Sequence, residues 1–189
     1  PRPINKADTE TLMKTVDLVV ATGSQNNIHS AYSSGTPAVG VGAGNVSVIV
    51  DETADLNEAA QKIIASKIFD NATSCSSENS VVALGSVYDD LVAALESQGA
   101  KLLTADEQEK LQQLMWPEGK LNSGVIARPA RQIAQMAEID CSAMPDVKVL
   151  LVQESQTGTA YPFSGEKLCP VLTLYRAEDF DGALAQVAE

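Results

Sequence analysis

Histidine occurs once in the 189 residues, at His29, and cysteine three times, at Cys75, Cys141 and Cys169. A lone imidazole argues against a His-based metal site, and against a Cys–His dyad unless His29 reaches Cys75 in space; no metal site is read from this chain. Three widely spaced cysteines fit neither a disulfide framework nor a zinc-binding spacing, so a reducing, cytoplasmic setting is the natural compartment. Lys and Arg number 13 against 25 Asp and Glu, for a net charge of −12, and no basic run occurs. That balance argues against a nucleic-acid or anionic-membrane partner. No apolar run reaches membrane-spanning length, and no charged segment followed by a short apolar one reads as a secretory signal. Internal repeats and low-complexity tracts are also missing. What is present is 44% hydrophobic and 20% charged sequence, enough for one sizeable core or one core plus part of another.

Apolar periodicity divides the chain into alternating helices and strands. Leu12, Met13 and Val16 share a helical face over Thr9–Val16, and Asp17–Thr22 is a short apolar run ending at Gly23-Ser24. That run reads as a buried parallel strand and a turn. A helix over Ser24–Ser33, closed by Gly35-Thr36-Pro37, and a strand at Ala38–Val41 complete a βαβ unit. Ser47–Val50 reads as a strand. Leu56–Asp70 reads as an amphipathic helix with Leu56, Ala59, Ala60, Ile63, Ile64 and Ile68 on its core face. A strand over Asn79–Leu84, a helix over Val87–Gln98 capped by Ser86, and a strand at Ala100–Leu103 follow. A capping box at Thr104–Glu107 opens a helix to Met115. Trp116–Asn122 reads as irregular and surface-lying. Arg128-Pro129 opens a helix to Met136, Val147–Val152 and Val171–Tyr175 are strands, and Phe180–Val187 is a short helix. The fold class is α/β, a largely parallel sheet flanked by helices.

One stretch stands out chemically: Phe69-Asp-Asn-Ala-Thr-Ser-Cys-Ser-Ser-Glu-Asn79. Buried structural cysteines usually have apolar neighbours. Cys75 instead has Ser74, Ser76 and Ser77 beside it and Asn71 and Thr73 just before, between a helix and a strand. Backbone N–H groups of such a turn can hydrogen-bond a thiolate or an oxyanion. Two readings of the local pattern stay open, a nucleophile and a small packing residue at a helix–strand junction.

The chain carries Val39-Gly-Val-Gly-Ala-Gly-Asn45, Asp51-Glu-Thr-Ala-Asp-Leu56, Ser66-Lys-Ile-Phe-Asp-Asn71, Cys75 and Pro162-Phe-Ser-Gly-Glu-Lys-Leu-Cys-Pro-Val171 in that order. The series resembles the aldehyde dehydrogenase superfamily over nearly the whole chain, and within it the CoA-acylating branch. The resemblance implies that Cys75 is the catalytic nucleophile and that Glu166 binds the ribose next to nicotinamide, where the plain reading is a solvated loop carboxylate. It also implies that the Gly23-Ser24 turn lies beside the nicotinamide half of NAD or NADP. Hydrolytic members carry a water-activating glutamate where this chain has Gly40. Its absence implies release of the acyl group to CoA as co-substrate, where the plain reading is that the glycines merely allow close packing between domains.

By the same resemblance, residues 1–43 are the C-terminal part of a nucleotide-binding domain and residues 44–189 the cysteine-bearing catalytic domain. The opening has no first nucleotide-binding strand and no Gly-rich turn, which reads as a piece of a longer chain. The implied reaction turns a small aldehyde, CoA and NAD(P)+ into an acyl-CoA and NAD(P)H, in a homo-oligomer (dimer or tetramer) at full length. The polar surroundings of Cys75, with Asn71, Ser74 and Ser76 as substrate-binding candidates, resemble the group acting on sulfoacetaldehyde, because a sulfonate needs several hydrogen-bond donors. Acetaldehyde or propionaldehyde is the second substrate reading. A non-catalytic interaction module is the competing class.

Overall fold

The computed structural model describes residues 5–188. It forms two compact units, the first ending at Gly44 and the second beginning at Asn45.

The first unit contains α1 (Lys6–Thr15), β1 (Val19–Thr22), α2 (Gln25–Tyr32) and β2 (Ala38–Val41). α1 begins earlier than its apolar spacing suggests because Asn5 caps it, accepting from the Ala7 amide at 2.9 Å. β1 and β2 pair in parallel, Val19 with Ala38 through Thr22 with Val41. α2 packs on β2 closely. A β-carbon built at Gly40 would lie 2.8 Å from Ile28 Cγ2 and 3.0 Å from Tyr32 Cε2. The Gly40 amide donates to the Tyr32 hydroxyl at 2.9 Å. Gly40 is thus a contact glycine inside the first unit, where α2 meets β2.

The second unit is a five-stranded, fully parallel sheet of β3 (Val46–Val50), β4 (Glu78–Leu84), β7 (Val171–Ala177), β6 (Val149–Gln153) and β5 (Ala100–Leu102), in that spatial order. The helices are α3 (Leu56–Ile68), α4 (Tyr88–Ser97), α5 (Ala105–Met115), α6 (Ala130–Met136) and α7 (Phe180–Ala188). β4 is buried on both faces, as a central parallel strand must be. Its Val81 and Ala83 pack with Ile63 and Ile64 of α3 and Leu91 and Leu95 of α4. Val82 and Leu84 pack on the opposite face with Tyr175 and Ala183. Among the described residues no helix is long and apolar enough to cross a membrane.

Local chemistry explains most element boundaries. Asp55 caps α3 through the amides of Asn57 and Glu58, and Thr104 and Glu107 form the reciprocal capping box that opens α5. Two expectations need correction. Ser86 does not cap α4; the N-cap is Val87, whose amide closes a turn onto the Leu84 carbonyl, so the helix starts one residue later. Trp116 is not a surface loop residue. It lies edge-on to Phe163 with ring centroids 4.9 Å apart and packs against the core cluster that contains Leu111 and Val152.

Candidate functional site

β4 and β7 are adjacent and parallel, paired from Ser80–Thr173 to Leu84–Ala177. Their N-terminal ends therefore lie at the same edge of the sheet. The segment carrying Cys75 runs into β4, and the segment carrying Glu166 runs into β7, so this topology brings the two together at one edge. A direct tie joins them: the Lys167 amide donates to Asn79 Oδ1 at 3.2 Å, and both residues are buried.

The Cys75 segment leaves α3 by an unusual route. The helix stops at Ile68, short of Asp70. A tight turn over Phe69–Ala72 follows, in which Asp70, Asn71 and Ala72 all adopt left-handed backbone, with φ of 49°, 50° and 60°. Thr73 explains part of this. Its hydroxyl is 2.8 Å from both the carbonyl and the carboxylate of Asp70, a local side-chain bond that competes with helix continuation. Non-glycine residues in this region cost about 1–2 kcal/mol each and persist only where their surroundings enforce them. Ala72 is buried, so replacing it by glycine removes both the strain and a packed methyl. Ala72→Gly is therefore expected to leave unfolding stability within about 1 kcal/mol of the parent. Ala60→Gly, at a buried position inside α3, should lose about 1 kcal/mol or more. Urea unfolding of both variants checks the contrast.

Of the three cysteines, Cys75 is exposed, Cys141 half-buried and Cys169 buried. Cys169 sits in the core beside Phe163 and Val171. Burial pushes its thiol up to about 11, with Lys67 and Lys167 pulling the other way. Burial also raises the Cys141 thiol. Neither setting favours a thiolate. Around Cys75, Ser74 Oγ and Ser76 Oγ are 2.9 Å apart, so one of their two hydroxyl protons is occupied in this mutual bond and one is left for a ligand. The Thr73 hydroxyl is already engaged by Asp70, which reduces the donor supply that sequence composition suggests. Asn71 is half-buried at the mouth of the same turn.

In the first unit Gly23, at φ 128°, ends β1, and Ser24 caps α2 by accepting from the Asn27 amide. The turn is exposed, and the opening amides of α2, as at any helix start, have no intrahelical acceptor. That geometry fits a dinucleotide's polar groups. Glu166, half-buried, offers a carboxylate suited to ribose hydroxyls. His29 is exposed on α2.

Two lysines escape sequence-level reading. Lys67 and Lys167 are both fully buried. Lys67 Nζ donates to the Glu78 carbonyl at 2.6 Å. Burial lowers its pKa to about 8, against the opposing influence of Cys169 and Glu78. Lys167 Nζ donates to the carbonyls of Phe163 and Gly165 at 2.6 and 2.9 Å, embracing the turn before Glu166. Burial, then the Lys67 charge, hold it well below the ordinary lysine range. Periodicity contained a signal for Lys67, since Ile63 and Ile64 lie four and three residues before it and place it on the core face.

The geometry thus sets an exposed thiol just after a strained turn, where the chain enters a central strand of a parallel sheet, and ties that strand entry to the loop carrying Glu166. Known proteins resemble this chain in sequence and fold. The profile of the aldehyde dehydrogenase family matches residues 8–115. Sulfoacetaldehyde dehydrogenase (acylating) of Cupriavidus necator is 52% identical over 188 residues, spanning all of this chain and 38% of that protein. The enzyme of the same description from Bilophila wadsworthia is 46% identical, over 99% of this chain and 41% of its own length. The crystal structure of an acetylating aldehyde dehydrogenase from Geobacillus thermoglucosidasius superposes with a TM-score of 0.93 at 39% identity, over 97% of this chain and 41% of that one. The chain therefore spans about two fifths of the length of these relatives. With a matching profile over more than half its residues and a shared parallel-sheet fold, the chain belongs to the aldehyde dehydrogenase family.

Proposed function

We propose that this chain carries the catalytic nucleophile of a CoA-acylating aldehyde dehydrogenase, and that the nucleophile is Cys75. The observation that carries the proposal is the contrast among the thiols: Cys75 alone of the three is exposed, a few residues beyond a run of three left-handed residues, on the segment whose entry into β4 is bonded to the Glu166 loop through Asn79 and Lys167. Cys75 Sγ adds to the aldehyde carbon, and the turn's amides stabilise the resulting oxyanion. Bound NAD or NADP supplies a hydride acceptor. In the second unit Glu166 is the residue for the ribose next to nicotinamide; in the first unit, taken by itself, the Gly23-Ser24 turn at the head of α2 is the cofactor-binding candidate. Residues up to 43 then act as the tail of the nucleotide-binding domain. The acyl group stays on Cys75 as a thioester until the CoA thiol removes it.

Sulfoacetaldehyde is the favoured substrate. The two acylating relatives named for it are the support, together with the hydroxyl left over in the Ser74–Ser76 pair and the Asn71 amide. Short aliphatic aldehydes are the second reading, supported by the acetylating Geobacillus structure. Limiting iodoacetamide followed by peptide mapping tests the nucleophile. Cys75 is expected to label first, at least about tenfold ahead of Cys141, with Cys169 unlabelled while the fold holds. Preferential labelling of Cys141 or Cys169 would remove Cys75 from this role.

A further inference from the structure

The strained turn between α3 and β4 needs something to hold it. Among the described residues its own side-chain bonds are internal, Thr73 to Asp70 and Ser74 to Ser76. The side chain that crosses from outside is Lys67, whose amine bonds the Glu78 carbonyl at the far end of the segment. We propose that Lys67 is a positioning residue for Cys75: by joining the last turn of α3 to the first residue of β4, its buried amine pins both ends of residues 69–77 and holds the Cys75 turn in its reactive form. The inference rests on Cys75 being the nucleophile.

Two features support a functional reason for this lysine. Burying an amine is costly, and a fully buried lysine bonded to a backbone carbonyl is a poor choice for stability alone. Sequence spacing would accept Met or Leu at the same core-face position. Its partner is also well chosen. Glu78 lies three residues after Cys75, and Asn79, next in line, is bonded by the Lys167 amide, so the strand entry is gripped from α3 on one side and from the Glu166 loop on the other.

The groups facing the Lys67 amine are the Glu78 carboxylate from β4 and the Cys169 thiol and Lys167 amine from the segment before β7, with Glu154 acting on Lys167. A charged donor makes the stronger hydrogen bond. Lys67 keeps its proton below about pH 8 and loses it above, so the grip should weaken as pH rises through that value.

The test is the pH–rate profile of Cys75 alkylation in this chain, with Cys141 as internal reference. In Lys67→Met, Cys75 should react about tenfold more slowly at pH 7, while the melting temperature stays equal or rises. In the parent protein the Cys75 rate should climb with thiolate formation and then fall below a single-titration curve above about pH 8. The Lys67→Met profile should show one titration. An unchanged Cys75 rate and profile in a folded Lys67→Met protein would overturn the proposal. If that variant does not fold, a parent profile that follows a single thiol titration would overturn it instead. Because the readout is alkylation, it is separable from the functional reading, which fails on its own terms if enzyme lacking the Cys75 thiol still turns over.

Discussion

Cys75→Ser should abolish aldehyde oxidation, by on the order of 10⁴-fold or more in kcat/KM, in an enzyme of the relatives' full length that carries this sequence. The side chain is exposed, and neither its Sγ nor its neighbours contribute to the core clusters, so the fold should be nearly unaffected, within about 0.5 kcal/mol. Cofactor binding should stay near normal, because the residues proposed for it, Gly23, Ser24 and Glu166, are untouched. The serine hydroxyl is close in size to the thiol but far less acidic, and so a far weaker nucleophile at neutral pH. The other two cysteines supply the contrast. Cys169→Ser puts a hydroxyl where the side chain is fully buried among Phe163 and Val171, and should lower stability while leaving the residual folded enzyme active. Cys141→Ser should change little. Turnover by the Cys75→Ser enzyme at even one tenth of the parent rate would place the chemistry on another residue.

The elements that the sequence made visible are those governed by short-range rules. The face formed by Leu56, Ala60, Ile63 and Ile64 identifies α3, the Thr104–Glu107 capping box fixes the start of α5, and alternate short apolar runs give the parallel sheet. Order of strands was not visible, because β7 inserts between β4 and β6 by pairing with a β4 strand that lies about ninety residues earlier, Ser80 with Thr173 through Leu84 with Ala177. That insertion is what sets the Cys75 and Glu166 segments side by side. The left-handed run at Asp70–Ala72 was hidden for a similar reason: Asp and Asn tolerate such backbone, but Ala72 does not favour it, and the turn is enforced by bonds from Thr73 and Lys67. Lys67 is the rarer case of a lysine on a buried helix face. Its position follows from the same 3.6-residue period as Ile63, yet a lysine is assumed to face water. Trp116 misled in the opposite sense, since its neighbours Pro117 and Gly119 mark a turn while its ring reaches back to Phe163.

Without CoA, the same full-length enzyme should release one equivalent of NAD(P)H per active site and then nearly stop. Water is a poor nucleophile at neutral pH, and a positioned general base typically contributes on the order of 10²–10⁴-fold to its attack. Gly40, which the resemblance places where hydrolytic members have their glutamate, has no side chain. Nor can a carboxylate be restored there simply, because a β-carbon alone would meet Ile28 Cγ2 at 2.8 Å. Gly40→Glu should therefore disturb the packing of α2 on β2 before it creates a hydrolase, and titration with CoA is the cleaner experiment. The next candidate base is Glu78, three residues beyond Cys75. One of its carboxylate oxygens, Oε2, is buried without a hydrogen-bond partner, and Glu78 acts on the buried Lys67 amine, whereas the Cys75 side chain is exposed. That arrangement directs Glu78 inward rather than toward a thioester in solvent. Adding CoA should restore steady turnover and yield an acyl-CoA, with the burst amplitude unchanged and the steady rate saturating in CoA. Sustained acid formation without CoA, at a rate comparable to the CoA-dependent one, would overturn the acylating assignment and make Glu78→Gln the next variant to measure.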